Sequence, residues 1–472
     1  MFKDVKYEIL QKGLDFEFKS ISYDSREITS GDIFVAMHGT NVNGNDYISK
    51  AIENGAVAVI TDDKTINITK YENISFYYVE NLRHNLGIIA SNLYDFPQNK
   101  LKVIGVTGTN GKTTITYILE SVLENSSRVG TTGYRILNEN FNAKNTTPES
   151  LDLIKLMDKS VKLGVEYFFM EVSSHSLSMG RVDMLNFDSA IFTNLTQDHL
   201  DYHKTIEDYF NAKCKIIDLL KPNAKLCVNI DDKYVKTLNG ISISTKDKMA
   251  DIYGEILEYT NNGMKIRITS KYGIKEIVTK LVGEYNLHNI LGVVASLTSI
   301  GIDFSYILDK ISKMESVVGR FELIENDKNA RIVIDYAHTP DGLINVLSTL
   351  KKITQNRLIT VFGAGGDRDR TKRPLMAKAA AKYSDYIILT SDNPRTEDPK
   401  QILADVEKGL TDINYTNYII IENRSSAINH AMNMILPNDS VIIAGKGHET
   451  YQIIGKEILH FSDKEEVKKS LK

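Results

Sequence analysis

Tryptophan is absent from the sequence, cysteine is scarce, and no long hydrophobic run occurs. The 472 residues include only Cys214 and Cys227, so a disulfide framework is excluded and a reducing, cytoplasmic compartment is expected. The two cysteines also lack the Cys-x-x-Cys spacing of common zinc sites. No apolar run approaches the ~20 residues that a membrane-spanning helix needs, and no signal peptide is expected from the opening residues.

A large net charge is missing as well. Lysine and arginine number 57 and aspartate and glutamate number 61, which gives a net charge of -4. Without a basic stripe or an aromatic platform, nucleic-acid binding is not expected. Charged residues make up 25% and hydrophobic residues 42%, as in an ordinary globular protein, and the length predicts two to four domains. The partners are expected to be small molecules, and the chain is expected to act as a monomer.

A glycine-rich turn between a predicted strand and a predicted helix is the most informative stretch. Residues 102–107 form a β-branched run, and the pattern over residues 115–123 is helical. Gly108 and Gly111 allow backbone amides to approach phosphate oxygens, and the helix N-terminus adds its positive dipole end. The stretch therefore predicts a phosphate-binding loop.

The residues after this turn carry the groups that phosphate chemistry needs. Lys112 can reach the outer phosphates, and a hydroxyl of Thr113 or Thr114 can ligate Mg²⁺. The strict Walker spacing requires a glycine at position 106, where this chain has Val106. The turn is therefore interpreted as a close relative of the P-loop, with a plain glycine-rich turn as the alternative.

The first 97 residues have the pattern of a small α/β unit. Strands are predicted at Asp32–Met37 and Ala56–Thr61, with a helix at Tyr47–Glu53 between them. Two polar clusters, Tyr23–Arg26 and Gly39–Gly44, are also typical of ordinary turns. Phe96–Asn99 then reads as a linker.

In the middle of the chain, two apolar strands end on polar groups. They are predicted at Glu166–Val172 and Ser189–Asn194, followed by Asp198–His203. In open α/β sheets, ligand-binding groups gather at the carboxyl ends of strands. A helix is predicted from Ile206 to Leu220 with Lys213 in its middle, a position at which lysine is usually solvated.

After this helix the pattern changes twice. A strand is predicted at Lys225–Asn229, and residues 241–282 predict antiparallel hairpins. Helical spacing follows at Asn286–Ile300. His199 and His203 are four residues apart, which could indicate a metal-binding pair on a helix, although His203 is also explained as a surface histidine.

The last 150 residues alternate between strands and helices, which predicts parallel strands with right-handed crossovers. The predicted strands are Ile332–Asp335, Leu358–Phe362, Tyr386–Thr390, Tyr418–Ile421 and Val441–Ala444. Four of these strand ends are followed by polar groups, including the arginines Arg368 and Arg395. Because arginine pairs with planar carboxylates, two of them in one region suggest a small substrate that carries carboxylates.

Taken in order, these motifs resemble the Mur ligases of bacterial peptidoglycan synthesis, and most closely the branch that adds the third amino acid of the stem peptide. The resemblance covers essentially the whole chain. The matching motifs are Asp24-Ser25-Arg26 with Gly31-Asp32, Thr107–Thr114, Glu171–His175, Asp198–His203, Ala212-Lys213, Asp335–Asp341, Gly366–Asp369, Asp392–Arg395 and Gly445–Glu449.

The resemblance implies an α/β fold with three domains. Residues 1–98 are expected to form a small N-terminal α/β domain that binds the uridine end of a UDP-MurNAc-dipeptide. Residues 99–319 are expected to form a central P-loop-type ATP-binding domain with an added antiparallel β part. Residues 320–472 are expected to form a Rossmann-like domain that binds the incoming amino acid.

The resemblance also implies roles for individual residues. The residues expected to bind ATP are Gly108, Thr109, Asn110, Gly111, Lys112, Thr113, Thr114, Asn289, Arg320 and Asp335. Those expected to bind the UDP-MurNAc-dipeptide are Tyr23, Ser25, Thr40, Asn41, Val42, Asn145, Thr146, Thr147, Ser173 and Arg181. Met179 stands where the family can have a polar contact.

A third group is implied for the amino acid and a fourth for the metal. The amino-acid residues are Arg368, Asp392, Asn393, Pro394, Arg395, Gly445 and Glu449. The expected Mg²⁺ ligands are Thr113, Glu171, His199 and Lys213, the last as a carbamylated lysine (N6-carboxylysine). The implied catalytic residues are Lys112, Glu171, His199 and Lys213.

The implied reaction is ATP-dependent amide bond formation through an acyl phosphate. The Asp-Asn-Pro-Arg motif resembles the branch that adds meso-diaminopimelate, because Arg395 can pair with the distal carboxylate that lysine lacks. The alternatives are addition of L-lysine, a different Mur step, and a relative such as folylpolyglutamate synthase. A nucleotide-gated binding protein without turnover is the alternative from another class, and a nucleic-acid-dependent motor is disfavoured.

Overall fold

The structure, a computed structural model, describes residues 1–15, 17, 19–39, 42–260 and 263–471, and of residue 201 the backbone only. Its strands are β1 Glu8–Gln11, β2 Ile21–Ser22, β3 Ile33–Ala36, β4 Ala58–Thr61, β5 Ser75–Tyr78, β6 Lys102–Thr107, β7 Ser126–Gly130, β8 Gly133–Ile136, β9 Glu139–Phe141, β10 Tyr167–Glu171, β11 Phe187–Phe192, β12 Leu220–Asn229, β13 Ile241–Ser244, β14 Ile252–Thr260, β15 Gly263–Ser270, β16 Gly273–Thr279, β17 Glu322–Ile324, β18 Arg331–Asp335, β19 Leu358–Phe362, β20 Tyr386–Leu389, β21 Tyr418–Ile420, β22 Ser440–Ala444, β23 Tyr451–Ile454 and β24 Glu457–His460.

Its α-helices are α1 Ile48–Glu53, α2 Leu82–Leu93, α3 Lys112–Val122, α4 Ser150–Lys162, α5 Ser174–Ser178, α6 Leu200–His203, α7 Ile206–Cys214, α8 Glu284–Ser299, α9 Phe304–Lys313, α10 Pro340–Ile353, α11 Lys372–Ala381, α12 Pro399–Thr411, α13 Arg424–Met434 and α14 Asp463–Ser470. Short 3-10 turns lie at Gly44–Tyr47, Pro97–Lys100, Lys215–Ile217 and Val235–Thr237. Within the described part of the chain, no helix combines the length and apolar character that crossing a membrane requires.

The chain divides into two compact units. The first comprises Met1–Gly105, Asn125–Asp188 and Ala212–Ala224. The second comprises Val106–Glu124, Ser189–Asn211 and Lys225–Lys472. The chain thus leaves and re-enters each unit, so neither is a single continuous segment.

The N-terminal part of the first unit is a five-stranded sheet with the order β1-β5-β4-β3-β2. Strands β2 to β5 are parallel, and β1 pairs with β5 in the antiparallel direction. Every residue of β3 and β4 is buried, as expected for parallel strands with both faces covered. Helix α1 connects these two strands, and its Ala51 packs with Phe34, Val59 and Phe76 in one core.

The rest of the first unit places a carboxylate at a strand end. Strand β10 is parallel to β7, and β7, β8 and β9 continue as an antiparallel meander. All five residues of β10 are buried, and the strand ends on Glu171. Helix α4 packs against α2 and buries Leu151, Ile154 and Met157.

In the second unit, strands β12, β13 and β14 are parallel, and β14, β15 and β16 form two antiparallel pairs. Helix α8 packs against β13, β14 and α3, which explains why most of its residues are buried. Strand β11 precedes β12, with Ser189 Oγ donating a hydrogen bond to the Lys225 carbonyl. This part of the unit supports the loop between β6 and α3.

The C-terminal part of the second unit is a six-stranded sheet with the order β17-β18-β22-β19-β20-β21. All neighbours except β17 and β18 are parallel. Alternate residues of β22 face opposite sides, because Ile442 lies in one core with helices α10 to α12 while Val441 and Ile443 lie in another with α13 and α14. Helices therefore cover both faces, and the chain order reverses around β22, where ligand crevices form in such sheets.

Three predicted boundaries were wrong. The helix predicted to run to Leu220 ends at Cys214, because the chain tightens into a 3-10 turn with Ile216 buried, so Lys213 lies in the last turn and not in the middle. The helix after the glycine-rich turn begins at Lys112, directly after Gly111 in the left-handed region. The predicted linker at residues 96–99 contains a 3-10 turn with Pro97 and Gln98 buried.

The elements of the second unit that had not been predicted include strand β17, helix α9, the antiparallel hairpin of β23 and β24, and helix α14. The antiparallel prediction for residues 241–282 was wrong for β13, which pairs in parallel with both β12 and β14. The hairpin has weak hydrophobic alternation because most of its residues are exposed. His199 precedes α6 with φ of +54°, so the suggested histidine pair on one helix was also wrong.

Replacing Ile442 with Ala tests the core of the six-stranded sheet. The side chain is completely buried in the central strand, so the substitution should lower the free energy of unfolding by about 2–5 kcal/mol. The matched control is Ile420→Ala on edge strand β21, where the side chain is 37% exposed and the loss should stay below about 1 kcal/mol. Differential scanning calorimetry of the full chain measures both, and equal losses would contradict this core assignment.

Candidate active site

The loop between β6 and α3 is held from behind by residues that follow β11. Thr109 N donates to the Asn194 carbonyl at 2.9 Å, and Asn110 N donates to Asn194 Oδ1 at 2.9 Å. Thr193 Oγ1 donates to the Asn110 carbonyl at 2.6 Å. These bonds fix the loop backbone in the shape that a phosphate-binding turn requires.

Glycine is required at two positions of this loop. Gly108 and Gly111 have φ of +136° and +94°, in the region that side chains disfavour. A Cβ at Gly108 would lie 1.9 Å from Thr193 Oγ1, and a Cβ at Gly111 would lie 2.4 Å from Asn289 Oδ1. Both distances are clashes, so the backbone approaches its neighbours as closely as only glycine permits.

Lys112 begins helix α3 and bends back over the loop. Its ammonium donates to the carbonyls of Gly108 and Thr109, both at 2.8 Å. The charge therefore lies above the same turn whose amides and helix dipole favour an anion. Thr113 and Thr114 follow in the first turn of the helix and are buried.

A cavity of about 430 Å³ opens beside this loop within the second unit. Asn110, Gly111 and Thr114 line it from the loop, and Asn289 lines it from helix α8. Two further predicted nucleotide residues, Arg320 and Asp335, line the same cavity. The other four, Gly108, Thr109, Lys112 and Thr113, are not among its lining residues. The structure thus brings together residues that are more than 200 positions apart in the sequence.

Asp335 is anchored at the end of β18. Its two oxygens accept hydrogen bonds from Phe321 N and Ala337 N, both at 2.7 Å. Burial raises the pKa of the Asp335 carboxyl, and the Arg320 charge and the two amides act in the opposite direction. The carboxylate is therefore rigidly oriented at the cavity wall.

Arg320 connects this wall to the loop. Its guanidinium lies 4.5 Å from the centre of the Tyr336 ring, and Nη2 donates to Thr113 Oγ1 at 3.2 Å. Nε is buried and has no hydrogen-bond partner within the described residues. A cation this close to the phosphate loop is placed to pair with an anionic ligand.

Some lining residues were not predicted from the sequence. Asp341 accepts a hydrogen bond from Asn110 Nδ2 at 2.8 Å, and burial raises the pKa of its carboxyl. It stands inside the Asp335–Asp341 motif, which was a usable sequence signal. Tyr285 and His288 on α8 also line the cavity, and nothing in their spacing distinguishes them from core residues.

A second cluster lies at the carboxyl ends of the six-stranded sheet. Arg395 adopts φ of +53°, and its Nη1 donates to the Gly366 carbonyl at 2.7 Å. Burial, followed by the charge of Arg368, lowers the pKa of Arg395. Two neighbouring guanidinium groups favour a carboxylate between them.

Acidic groups form the other half of this cluster. Asn393 Nδ2 donates to Glu449 Oε2 at 3.0 Å, and Asp392 lies beside Gly445, where a Cβ would come within 3.0 Å of Asp392 Oδ2. Burial, followed by the charge of Asp392, raises the pKa of the Glu449 carboxyl. Pro394 completes the turn, because its carbonyl would lie 1.9 Å from a Cβ at Gly366. The cluster therefore presents positive and negative halves, as a zwitterionic amino acid requires.

The predicted carboxylate Glu171 lies in the first unit. Thr131 donates to it from both N and Oγ1, at 3.0 Å each, and the side chain is completely buried. Thr147 Oγ1 donates to the Glu171 carbonyl at 2.8 Å and lies 3.3 Å from Ser173 Oγ. Two predicted substrate residues, Thr147 and Ser173, are thus bonded to each other next to this strand end.

Other predicted substrate residues surround Arg181 in the first unit. Arg181 pairs with Glu149 at 3.0 Å and donates to the Thr147 carbonyl at 3.2 Å. Met179 Sδ lies 3.5 Å from the same guanidinium. The Asn145 carbonyl accepts a hydrogen bond from the Tyr134 hydroxyl at 2.7 Å, and the Thr146 hydroxyl lies 3.1 Å from that of Thr131, which bonds to Glu171.

Tyr23, Ser25 and Val42 line a cavity of about 460 Å³ in the first unit. The Tyr23 hydroxyl donates to Asp152, and burial, together with that carboxylate, raises the pKa of Tyr23. Thr40 and Asn41, which were predicted for the same site, lie outside the described residues.

The four expected metal ligands are divided between the units. Thr113 and His199 belong to the second unit, and Glu171 and Lys213 belong to the first. Among the described residues, no group of three or more histidine, cysteine, aspartate or glutamate side chains could hold a metal. Mg²⁺ prefers oxygen donors, keeps several waters and takes phosphate oxygens in preference to an all-protein cage, so the hydroxyl and the carboxylate suit it better than the imidazole does.

Comparison with known protein families shows to which family the chain belongs. The model described as Mur ligase family, catalytic domain, matches residues 17–94, the Mur ligase middle domain matches 106–297, and the Mur ligase, glutamate ligase domain, matches 319–447. A relative from Fusobacterium nucleatum subsp. nucleatum, named UDP-N-acetylmuramoyl-L-alanyl-D-glutamate--2,6-diaminopimelate ligase, is 47% identical over 98% of this chain and 96% of its own length. The chain belongs to the Mur ligase family.

Solved structures agree with this assignment. A UDP-N-acetylmuramoyl-L-alanyl-D-glutamate--2,6-diaminopimelate ligase matches this Mur ligase with a TM-score of 0.67 and 34% identity, over 96% of this chain and 94% of its own. The MurF ligase of Thermotoga maritima, solved in complex with ADP, matches with a TM-score of 0.64 and 18% identity, over 98% and 97% of the two chains. The second likeness bears on the fold alone, and together they confirm the predicted α/β class.

Replacing Gly111 with Ala tests the phosphate loop of this Mur ligase. The added Cβ would clash with Asn289 Oδ1, so the affinity for ADP should fall by about tenfold or more. Gly301→Ala is the matched control, because Gly301 has a similar φ of +91° but no atom within 4 Å of its Cβ position. Isothermal titration calorimetry with ADP measures both variants, and equal affinities would contradict the role given to this loop.

Proposed function

We propose that this Mur ligase joins meso-2,6-diaminopimelate to the γ-carboxylate of D-glutamate in UDP-N-acetylmuramoyl-L-alanyl-D-glutamate. ATP is converted to ADP and phosphate in the reaction, which belongs to peptidoglycan synthesis. The observation that carries the proposal is the divided cluster at the carboxyl end of the sheet, where Arg368 and Arg395 lie opposite Asp392 and Glu449. Asp392 is buried, Arg395 and Glu449 are half-buried, and Arg368 is exposed. The names of the relatives support the same substrate.

The cluster favours diaminopimelate over L-lysine for an electrostatic reason. The two amino acids differ by one distal carboxylate. The Arg395 guanidinium is half-buried, and burial lowers its pKa, so a carboxylate partner stabilises its charged form. Lysine has no distal carboxylate to offer this guanidinium, and loss of that charge-assisted pair gives strong discrimination. Glu449 would accept hydrogen bonds from the ammonium beside that carboxylate.

The nucleotide site supports an ATP-driven mechanism. The D-glutamate γ-carboxylate attacks the γ-phosphorus of ATP and releases ADP, which gives an acyl phosphate. The amine of the incoming amino acid then attacks the acyl carbon and displaces phosphate. Lys112, the loop amides and Arg320 would offset the repulsion between an anionic nucleophile and a polyanion.

The donor set proposed for Mg²⁺ is Thr113, Glu171, His199 and carbamylated Lys213. The ion would supply charge neutralisation on the phosphate oxygens. Lys213 is 1% exposed in the last turn of α7. Carbamylation turns it into an anionic oxygen donor, which suits a hard cation.

The domain roles remain part of the proposal. Residues 1–98 would hold the uridine nucleotide, with Tyr23, Ser25 and Val42 at the cavity of the first unit. Residues 99–319 would bind ATP, and residues 320–472 would bring the amino acid. Asn145, Thr146, Thr147, Ser173 and Arg181 would hold the muramoyl-dipeptide. The protein would act in the cytoplasm as a monomer.

An amino-acid panel tests the substrate. The protein is supplied with ATP, Mg²⁺, the UDP-linked dipeptide and one amino acid at a time, and product mass and phosphate release are recorded. Diaminopimelate should give product at low concentration, and L-lysine should require about 100-fold more or give none. Equal use of both would support the lysine-adding alternative, and no substrate-dependent phosphate release would support a binding protein.

Replacing Arg395 with Ala should raise the KM for diaminopimelate by about tenfold or more, because a carboxylate loses its charged partner. The KM for ATP should change little. The control is Arg267→Ala, because Arg267 pairs with Glu255 and Glu276 on exposed strands outside the pocket. An unchanged KM for diaminopimelate in the Arg395 variant would remove this substrate assignment.

Lys213→Ala tests the modified lysine. Loss of an oxygen donor should lower kcat by about 100-fold. Lys215→Ala, two residues further on and exposed, should retain activity within about twofold. The wild-type protein should also lose activity in carbonate-free buffer and regain it with bicarbonate, whereas indifference to bicarbonate would argue against carbamylation.

A further inference from the structure

Lys446 is a completely buried lysine in the amino-acid cluster that has no role in the proposed function. Its ammonium donates to Asn393 Oδ1 at 2.9 Å and to the Tyr451 carbonyl at 2.8 Å. It also lies 3.3 Å from Asp392 Oδ1 and 3.4 Å from Glu449 Oε2. A buried ammonium needs such partners, and here all of them belong to the substrate pocket or to the hairpin beside it.

These contacts determine which way the Asn393 amide points. Asn393 Oδ1 accepts from two donors, the Lys446 ammonium at 2.9 Å and Ile453 N at 3.0 Å. Because both donors require an acceptor, the oxygen must face them and Nδ2 must face Glu449 Oε2, to which it donates at 3.0 Å. Lys446 therefore holds Glu449 indirectly, through an amide that it orients.

The β23–β24 hairpin is bonded to the same turn at four points. Besides Ile453 N, Gln452 Nε2 donates to the Asp392 carbonyl at 2.7 Å. Arg395 N donates to the Ile453 carbonyl at 3.0 Å, and Gly455 N donates to the Arg395 carbonyl at 2.7 Å. These hydrogen bonds hold the Asp392–Arg395 turn in the conformation in which Arg395 has a positive φ.

The charges in the acidic half have a simple balance. Asp392 and Glu449 together carry two negative charges when ionised, and Lys446 supplies one positive charge. The net charge of -1 matches a single substrate ammonium. Without Lys446, two adjacent carboxylates would share a proton, and a protonated carboxyl is a poor acceptor for an ammonium.

We propose that Lys446 is a positioning residue for the amino-acid substrate, which it serves by orienting Asn393 and neutralising one of two carboxylates, and that the β23–β24 hairpin holds the turn on which it acts. The proposal rests on the proposed function. Lys446 and Gln452 would affect binding of the substrate ammonium, whereas Arg395 would bind the distal carboxylate.

The test compares Lys446→Met, Gln452→Met and the control Lys456→Met, an exposed lysine in the turn of the same hairpin. Lys446→Met should raise the KM for diaminopimelate by about tenfold or more, while the KM values for ATP and the UDP-linked dipeptide stay within about twofold. Gln452→Met, which keeps the buried ammonium, should raise the same KM by about threefold. Lys456→Met should match the wild type.

A pH profile separates positioning from a loss of packing. The acidic limb of kcat/KM for diaminopimelate should move to higher pH in Lys446→Met, because the two carboxylates then hold a proton until higher pH. The other charged and titratable groups that face this pair are Arg395, Arg424, Tyr336 and Tyr451, and Arg424 is itself paired with Asp463. All of them are unchanged in the variant.

The outcomes are distinguishable from a failure of the proposed function. If the wild-type protein does not use diaminopimelate, the proposed function fails. If the wild type uses it and both Lys446→Met and Gln452→Met keep the wild-type KM and pH profile, this proposal alone is overturned. If Lys446→Met does not fold, Gln452→Met decides, and an unchanged KM in that variant overturns the proposal.

Discussion

Charge taken out of water needs a counter-charge, and this constraint shapes the carboxyl edge of the six-stranded sheet. Arg424 and Asp463 form an ion pair that is completely buried, and Arg424 also donates to the Ala444 carbonyl. Beside it, Lys446 lies among Asn393, Asp392 and Glu449. Removing one member of such a set would leave a buried charge without a partner, so loss of any one of these groups should destabilise the protein.

These charged groups explain why a ligand that carries both a positive and a negative charge suits the carboxyl end of the six-stranded sheet. The arginine half and the carboxylate half each carry groups whose pKa values burial has displaced toward the neutral form. A zwitterion brings an opposite charge to each half at once and so stabilises the charged forms of both. Recognition therefore depends on groups that are already oriented and partly desolvated before the ligand arrives.

The phosphate loop is shaped by a steric constraint, because its two glycines pack too closely against neighbouring side chains for any other residue to fit. Gly108 and Gly111 lie against Thr193 and Asn289, so the loop is packed between the end of one strand and the side of helix α8. Arg320 and Asp341 then join this loop to the residues around β18 and α10. In the second unit, nucleotide residues from three separate stretches of sequence thus lie around one cavity.

The sequence by itself determined most of the strands and helices around each candidate site, and the site residues that it indicated stay predictions. Strand–turn–helix patterns, glycines with positive φ and polar groups after strands are local features, so they could be found at residues 102–123 and at Asp335, Asp392 and Gly445. The helix predicted to reach Leu220 failed because burial of Ile216, a tertiary contact, set its end. The tertiary structure alone decided that Asp341 would bond to Asn110, that a mostly exposed hairpin would hold the Asp392–Arg395 turn, and that Lys446 would orient Asn393. These contacts depend on which distant side chains meet in space, and neither periodicity nor spacing along a single chain carries that information.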